Sequence, residues 1–221
     1  MATPAEKIPN PETVNEHRET HPADAFRHTR LVGVTGAAGS GKDTIADHIA
    51  TLTDCVRMSC ADPIKSALTV MFGFPAGAWL DRDWKERMLP MIGRSPRQLA
   101  QTLGTEWGRN MVNPDIWIST VMARWRNQGC PITVIPDIRF ENEAMAVLRA
   151  GGLLISVDRP GVNPVAQHPS EQPIPANMIH HALINDGTIE DLQAKVDKAL
   201  LDHAKMIQNL IEQQQANANP Q

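Results

Sequence analysis

The sequence predicts an α/β fold built on a parallel sheet, and two observations carry that prediction. Short, mostly apolar runs recur along the chain and alternate with longer runs of helical spacing, as in a sheet whose strands are joined by helices. The first of these runs also leads through a glycine-rich loop straight into an amphipathic stretch at 44–52. The runs predicted as strands are 31–34, 55–59, 131–136, 153–157 and 180–184.

The loop after the first predicted strand has the composition of a phosphate-binding loop. Glycines at 36, 39 and 41 allow successive backbone N–H groups to point at a polyphosphate, and the following helix contributes its positive end. Lys42 is then placed to reach the β- and γ-phosphates. This strand, loop and helix context is what a P-loop requires, and a glycine turn without a ligand is the weaker alternative. The predicted ATP-binding residues are Gly36, Ala37, Ala38, Gly39, Ser40, Gly41, Lys42, Asp43 and Thr44.

The end of this loop departs from the usual pattern, in which Ser or Thr directly follows the lysine. Here Asp43 comes first and Thr44 one place later, an ending similar to that of nucleoside monophosphate kinases. Thr44 is therefore the predicted hydroxyl near Mg²⁺. Asp43 could cap the helix or contact the water shell of the metal.

Composition limits the possible partners and compartments. The chain has 221 residues and a net charge of -4, so no overall basic field favours long nucleic acid. The three cysteines are odd in number and lack metal-site spacing, which favours a reducing compartment. No apolar stretch approaches a membrane span, and the N-terminus lacks the apolar core of a signal peptide. We therefore expect a soluble, cytoplasmic protein that does not contact a membrane.

Charged residues follow the third and fourth predicted strands, where ligands of open α/β sheets bind. Asp137 and Arg139 come after the third strand and should lie beside the P-loop. The acid could hold Mg²⁺ through water and the arginine could bind a phosphate, while a surface salt bridge between them is the alternative. Arg159 follows the fourth strand and precedes a proline-rich stretch at 160–178, which is a candidate lid or else a passive linker.

The segment between the second and third strands is long and partly irregular. Asp62 and Lys65 open a predicted helix, where a simple cap and a solvated charge are the alternatives to substrate roles. Residues 72–94 are predicted to be a loop or flap, whose tryptophans at 79 and 84 could form a core anchor or a dimer contact. A helix over 95–111 carries a polar stripe that could also be only a solvated face, at Gln98, Gln101, Thr105 and Arg109.

The two ends of the chain are predicted to lie outside the folded domain. Residues 1–28 lack a sustained apolar period and are expected to form a flexible arm, with a short helix conceivable at 16–27. The last helix is predicted to begin at 188 and to end near 212. The Gln- and Asn-rich stretch at 213–221 is expected to be disordered.

Several stretches together resemble the bacteriophage deoxynucleoside monophosphate kinase family, one of the P-loop nucleoside monophosphate kinases. They occur in the family's order and span about 30–200. The more specific ones are Gln-Thr-Leu-Gly-Thr-Glu at 101–106 and Asp-Ile-Arg-Phe-Glu-Asn-Glu at 137–143. The others are the P-loop and the stretches at 61–65, 168–171 and 185–188. The N-terminal arm and the Gln-rich tail have no counterpart that the resemblance explains.

The resemblance implies a five-stranded parallel sheet in the order 2-3-1-4-5, within a kinase domain over 29–212. It implies a nucleoside monophosphate (NMP)-binding region at 61–127 and a lid at 160–178. It also implies transfer of the γ-phosphoryl group of ATP, with Mg²⁺, to a deoxynucleoside monophosphate (dNMP), in the host cytoplasm if the gene is of phage origin. Small nucleotides would be the partners, and a homodimer is conceivable.

Site roles follow from the resemblance together with the positions of the residues. Catalytic roles fall to Lys42, Asp137, Arg139 and Arg159, the last as an arginine finger. Thr44 and Asp137 would hold Mg²⁺, directly or through water. The acceptor would be bound by Asp62, Lys65, Arg97, Gln98, Gln101 and Arg139.

Two other functions remain open from the sequence. A P-loop kinase could act on another small phosphorylated acceptor, such as dephospho-coenzyme A or phosphomevalonate. A regulatory protein could bind ATP without phosphorylating a small molecule and use the arm and the tail as partner contacts.

Overall fold

The centre of the protein is a five-stranded parallel sheet. The computed structural model describes residues 21–162 and 173–218. The strands lie in the order β2-β3-β1-β4-β5, which confirms the fold class and the strand order predicted above. Their bounds are β1 Leu31–Thr35, β2 Val56–Arg57, β3 Thr133–Ile135, β4 Leu153–Asp158 and β5 His181–Ile184.

Helices cover both faces of this sheet. They are α1 Lys42–Leu52, α2 Asp62–Phe72, α3 Arg82–Glu86, α4 Pro96–Gln101, α5 Ile116–Asn127, α6 Glu141–Arg149 and α7 Ile189–Ala218. Short 3₁₀ helices lie at Pro22–Arg27, Ala78–Leu80 and Ala176–Met178. Within the described residues, no helix combines the length and apolarity needed to cross a membrane.

Alternation along β1 separates two apolar cores. Leu31 packs on one face of the sheet against residues of α2, α5 and α6, whereas Val32 and Val34 pack on the other against α1 and α7. All five residues of β1 are buried, as expected for a strand covered on both faces. The register pairs Gly33 with Ile135 of β3 and with Leu154 of β4. The loops that leave β1, β3 and β4 therefore emerge at one edge of the sheet.

The helix predicted over 95–111 changes type partway along its length. Ser95 and Gln98 form a capping box at the start of α4, and a π-helix at Thr102–Val112 continues it. Trp117 of α5 packs against this π-helix and donates from Nε1 to the Gly104 carbonyl at 2.7 Å. A Cβ atom at Gly108 would lie 2.5 Å from the Trp117 ring. The tryptophan thus occupies space that only glycine leaves open.

Aromatic packing organises the segment predicted to be an irregular flap. Trp84 of α3 lies 4.6 Å from Phe74 and 6.0 Å from Trp79, measured between ring centroids. Trp79 also donates from Nε1 to the Thr69 hydroxyl at 2.9 Å. These tryptophans therefore anchor the flap to the end of α2.

Part of each end that was predicted to lie outside the domain is folded. Residues 22–27 belong to the domain, because Ala25 and Phe26 are buried in the core that contains α7. At the other end α7 runs to Ala218, so 213–218 are helical. The stretch 189–218 has no Gly or Pro, and Gln and Ala favour helices, so a polar composition did not end this one. Residues 1–20 of the predicted arm at 1–28 and residues 163–172 of the predicted lid at 160–178 lie outside the described residues.

Candidate functional site

The P-loop has the backbone conformation that its glycines predicted. Gly36, Gly39 and Gly41 have φ values of 148°, 83° and 111°, which residues with a side chain rarely adopt. A Cβ atom at Gly36 would overlap the Val157 carbonyl oxygen, and one at Gly41 would lie 2.7 Å from Asn185 Nδ2. At Gly39, by contrast, no described atom lies within 4 Å of a built Cβ. The loop is thus packed against the protein on one side and open on the other.

Lys42 is buried at the first position of α1, and its ammonium group lies inside the loop. Nζ donates to the carbonyl oxygens of Gly36 and Ala37, each at 2.6 Å, and lies 4.0 Å from Asp137 Oδ1. Ser40 is also buried, and its hydroxyl has no hydrogen-bond partner among the described residues. Buried polar atoms normally have a partner, so an orphaned hydroxyl in this loop fits a ligand with acceptor oxygens, such as a phosphate.

Asp137 and Arg139 meet at the end of β3 beside the P-loop. Arg139 Nε donates to Asp137 Oδ2 at 2.9 Å, and the two side chains are about equally accessible. The salt bridge that the sequence left as the alternative for this pair is therefore present. Because Asp137 also lies near Lys42, the pair faces the P-loop rather than solvent alone. The Asp137 carboxylate is an oxygen donor of the kind that suits Mg²⁺.

A cavity of about 470 Å³ extends from the P-loop towards α2, α4 and the π-helix. Its size and mixed lining are typical of a small-molecule site. Seven basic side chains line it against four carboxylates, so its charge suits anionic ligands. The basic residues are Lys42, Arg57, Lys65, Lys85, Arg97, Arg109 and Arg139; the acidic ones are Asp43, Asp62, Asp137 and Glu143.

Most of the predicted acceptor residues line this cavity, although some also have structural partners. Asp62, Lys65, Arg97 and Gln101 all contribute to its wall. Asp62 Oδ2 accepts from the Ser59 N–H at 3.0 Å, in the turn before α2. The predicted N-cap role of Asp62 is wrong, because the helix begins at Asp62 and its N-cap, Ala61, makes no side-chain cap bond. Arg97 pairs with Glu86, outside the cavity lining.

Several predicted site residues are not among the described residues that line the cavity: Gly36, Ala37, Ser40, Gly41, Thr44, Gln98 and Arg159. Gln98 Oε1 accepts from the Ser95 N–H at 2.9 Å, which commits that side chain to capping α4. Thr44 is half-buried in the first turn of α1, and Arg159 is exposed beyond β4. Asp43, which does line the cavity, pairs with Arg57, another lining residue. No group of three or more His, Cys, Asp and Glu suited to a metal occurs in the described ranges.

Sequence reasoning missed a buried network around Glu143 of α6. One oxygen of this carboxylate accepts from the backbone N–H groups of Arg139 at 2.8 Å and Phe140 at 3.2 Å, and the other pairs with Arg109. Cys60 lies beside it; burial, reinforced by the negative charge and hydrogen bond of Glu143, raises the pKa of its thiol. The thiol therefore stays protonated and serves as a donor.

Signals for two members of this network were present in the sequence. Arg109 belonged to the polar stripe of the helix predicted over 95–111, and Glu143 closed the acidic stretch at 137–143. Nothing in the residue spacing indicated that the two would meet.

Comparisons with known proteins agree with the resemblance stated from the sequence. The family model described as deoxynucleotide monophosphate kinase matches residues 93–196. This range includes the π-helix and the Asp137–Arg139 turn but not the P-loop, whose assignment rests on its own sequence and geometry. The predicted resemblance is confirmed.

Three relatives extend the similarity to about three quarters of the chain. The deoxynucleoside-5′-monophosphate kinase of Escherichia phage T5 is 29% identical, covering 75% of this chain and 94% of its own. The deoxynucleotide monophosphate kinase of Enterobacteria phage T4 is 24% identical, with coverages of 77% and 98%. A third relative, from Acanthamoeba polyphaga mimivirus, is named as a deoxynucleotide monophosphate kinase. It is 28% identical, and the match covers 75% of this chain and 93% of the relative.

Proposed function

We propose that this chain, a relative of the deoxynucleotide monophosphate kinases, transfers the γ-phosphoryl group of ATP to the 5′-phosphate of a deoxynucleoside monophosphate. One observation carries the proposal furthest. The ammonium group of Lys42 is held within the P-loop and 4.0 Å from Asp137, at one end of a basic cavity that reaches the NMP-binding region. The arrangement offers binding sites for two phosphate-bearing molecules whose phosphates would meet beside Lys42.

The donor half of the reaction falls to residues 36–44. Their backbone N–H groups would bind the ATP phosphates, and the Ser40 hydroxyl would gain the partner that it lacks among the described residues. Lys42 would exchange its contacts with the two loop carbonyls for phosphate oxygens. Its charge would then follow the transferring group, because phosphoryl transfer depends on positioning and charge stabilisation more than on covalent chemistry.

The acceptor half falls to the opposite wall of the cavity. Arg139, together with Lys65 and Arg97, would bind the acceptor phosphate, and for this Arg97 would leave Glu86. Asp62 and Gln101 would contact the base or the sugar. Gln98 could do so only if its capping bond to Ser95 opened. Arg159 would have to move inward from its exposed position to act as an arginine finger.

Mg²⁺ would be held by the Asp137 carboxylate and the Thr44 hydroxyl, directly or through water. Protein sites of this kind usually supply one or two oxygen ligands, and the substrate phosphates supply others. When bound, the ion would neutralise charge on the phosphates. Cytoplasmic location and a homodimer belong to the same proposal as expectations.

The proposal is tested by ADP release from ATP and Mg²⁺ in a coupled assay. The acceptors are dAMP, dGMP, dCMP, dTMP, the four ribonucleotides and dephospho-coenzyme A. We expect turnover that requires at least one deoxynucleotide, with little ATP hydrolysis in its absence because the site must exclude water. Turnover with dephospho-coenzyme A alone, or acceptor-independent hydrolysis alone, would contradict the proposal.

A further inference from the structure

Glu143 is a buried carboxylate for which the proposed reaction has no direct use. Glu143 is only 1% exposed, yet it lies in the cavity wall and contacts the turn that carries Arg139. Burying a charge is unfavourable unless it is paired and hydrogen-bonded, so each of its partners matters. Two of them, the N–H groups of Arg139 and Phe140, fix the backbone of the turn. The others are the guanidinium group of Arg109 and the Cys60 thiol.

Arg109 is held from three sides and still presents donors to the cavity. It pairs with Glu143, donates from Nη1 to the Pro114 carbonyl at 3.0 Å, and lies 3.8 Å from the centre of the Phe140 ring. Its side chain is 10% exposed. A guanidinium group has five N–H donors, and only two of those of Arg109 have a partner in the described part of the chain. The others are held in the wall of a basic cavity.

The geometry links the two arginines through one carboxylate. Glu143 Oε2 fixes the backbone of Arg139, while Oε1 fixes the side chain of Arg109. A long, flexible side chain loses considerable rotamer entropy when it binds a ligand, and a partner that holds it beforehand reduces that loss. Guanidinium groups bind phosphate with paired N–H bonds, a geometry that such pre-orientation would favour.

We propose that Arg109 binds the phosphate of the acceptor nucleotide beside Arg139, and that Glu143 is the positioning residue that holds both. This inference rests on the proposed function, because it adds a residue to the acceptor half of that site. It differs from a purely structural role for Glu143, in which the network would stabilise the fold without affecting the acceptor.

Two variants separate the roles. In Glu143→Gln the amide oxygen can still accept from the Arg139 and Phe140 N–H groups, but the amide NH₂ meets Arg109 and the ion pair is lost. Arg109→Lys keeps a cation beside Glu143 and loses the fork. We expect the acceptor KM to rise about tenfold or more in both variants, as loss of a charge-assisted hydrogen bond predicts, while the ATP KM changes less than about twofold.

The matched controls are Glu141→Gln and Arg126→Lys, which make the same changes at exposed positions outside the cavity. Both should retain wild-type KM values. The double variant Glu143→Gln/Arg109→Lys should be no worse than the poorer single variant, because the two residues act as a unit. Three results would overturn the inference. The acceptor KM of the double variant could rise by the product of the two single effects, the acceptor KM could stay unchanged in the single variants, or the acceptor KM and the ATP KM could change equally.

Calorimetric binding of deoxynucleoside monophosphates without ATP separates this inference from the proposed function. If the wild-type chain binds a deoxynucleotide without turning it over, the proposed reaction fails. In that case the inference is supported when both variants bind the deoxynucleotide about tenfold more weakly than the wild-type chain. It is contradicted when they bind the deoxynucleotide as tightly as the wild-type chain. If the folded wild-type chain neither binds nor turns over any deoxynucleotide, both fail. Because Glu143→Gln changes a buried group, the folding of this variant is checked by thermal melting. If Glu143→Gln does not fold, the result for Arg109→Lys decides the test.

Discussion

Acidification should destabilise this protein through one buried histidine, His203 of α7. The residue is 3% exposed, and its Nε2 lies 2.9 Å from the Thr29 hydroxyl. Its Nδ1 has no partner among the described residues. The rings of His180 and His181 lie 5.6 and 6.4 Å away. Burial, followed by the positive charge that these two neighbours acquire, lowers the pKa of His203 from 6.5 to about 4.

The sign of the effect follows from where the proton binds. Between pH 6.5 and pH 4 the unfolded chain binds a proton at this position that the folded chain excludes. The free energy of unfolding therefore falls as the pH falls through this window. With these two pKa values, linkage gives a loss of about 2 kcal/mol between pH 7 and pH 5 and about 3 kcal/mol by pH 4.

Urea unfolding at pH 7 and pH 5, followed by tryptophan fluorescence, measures this loss. In His203→Gln the group no longer titrates, while an amide can still bond to Thr29. The wild-type chain should lose about 2 kcal/mol more than this variant over the two pH units. His28→Gln, at an exposed histidine, is the control and should behave as wild type. Equal losses in wild type and His203→Gln would refute the reasoning.

Three further substitutions test the site and its support. Lys42→Ala should lower kcat about 10²-fold or more in the coupled assay, since it removes the cation nearest the transferring group, and near-normal turnover would contradict the P-loop assignment. Gly36→Ala should abolish ATP binding measured by calorimetry, because its Cβ overlaps the Val157 carbonyl; an unchanged affinity would disprove the fit of the loop. Gly108→Ala should lower the free energy of unfolding by about 1–3 kcal/mol in urea, because the methyl group meets the Trp117 ring; a neutral effect would show that the π-helix yields.

The conformation of the P-loop could be predicted from the sequence because it is encoded locally. Glycines at 36, 39 and 41 and the lysine at 42 specify a backbone conformation within a few residues, and the loop has it. The strand order was predicted only through the family resemblance. Ends were predicted less well: composition suggested disorder at 213–218, where the helix continues.

The acceptor half was harder because its contacts join residues far apart in the chain. Arg109 and Glu143 are separated by 34 positions, and neither has a periodic or compositional sign of the other. The polar stripe on the helix over 95–111 was identified, but capping removed Gln98 from the cavity, and the change to a π-helix was not foreseen. Propensities and residue spacing predict contacts within one helix or strand. They do not predict this wall of the cavity, because it is formed by contacts between different elements.

This asymmetry has a consequence for specificity. The P-loop backbone leaves no space for side chains at Gly36 and Gly41, so substitutions there should damage the proposed ATP site rather than alter its specificity. The acceptor wall is made by side chains on α2, α4, the π-helix and the turn before α6, and these can change singly without altering the sheet. Base preference should therefore be carried by residues such as Gln101 and Thr105. Exchanging those positions should alter the ranking of acceptors while the ATP KM stays the same, because the two walls share only the region around Lys42 and Asp137.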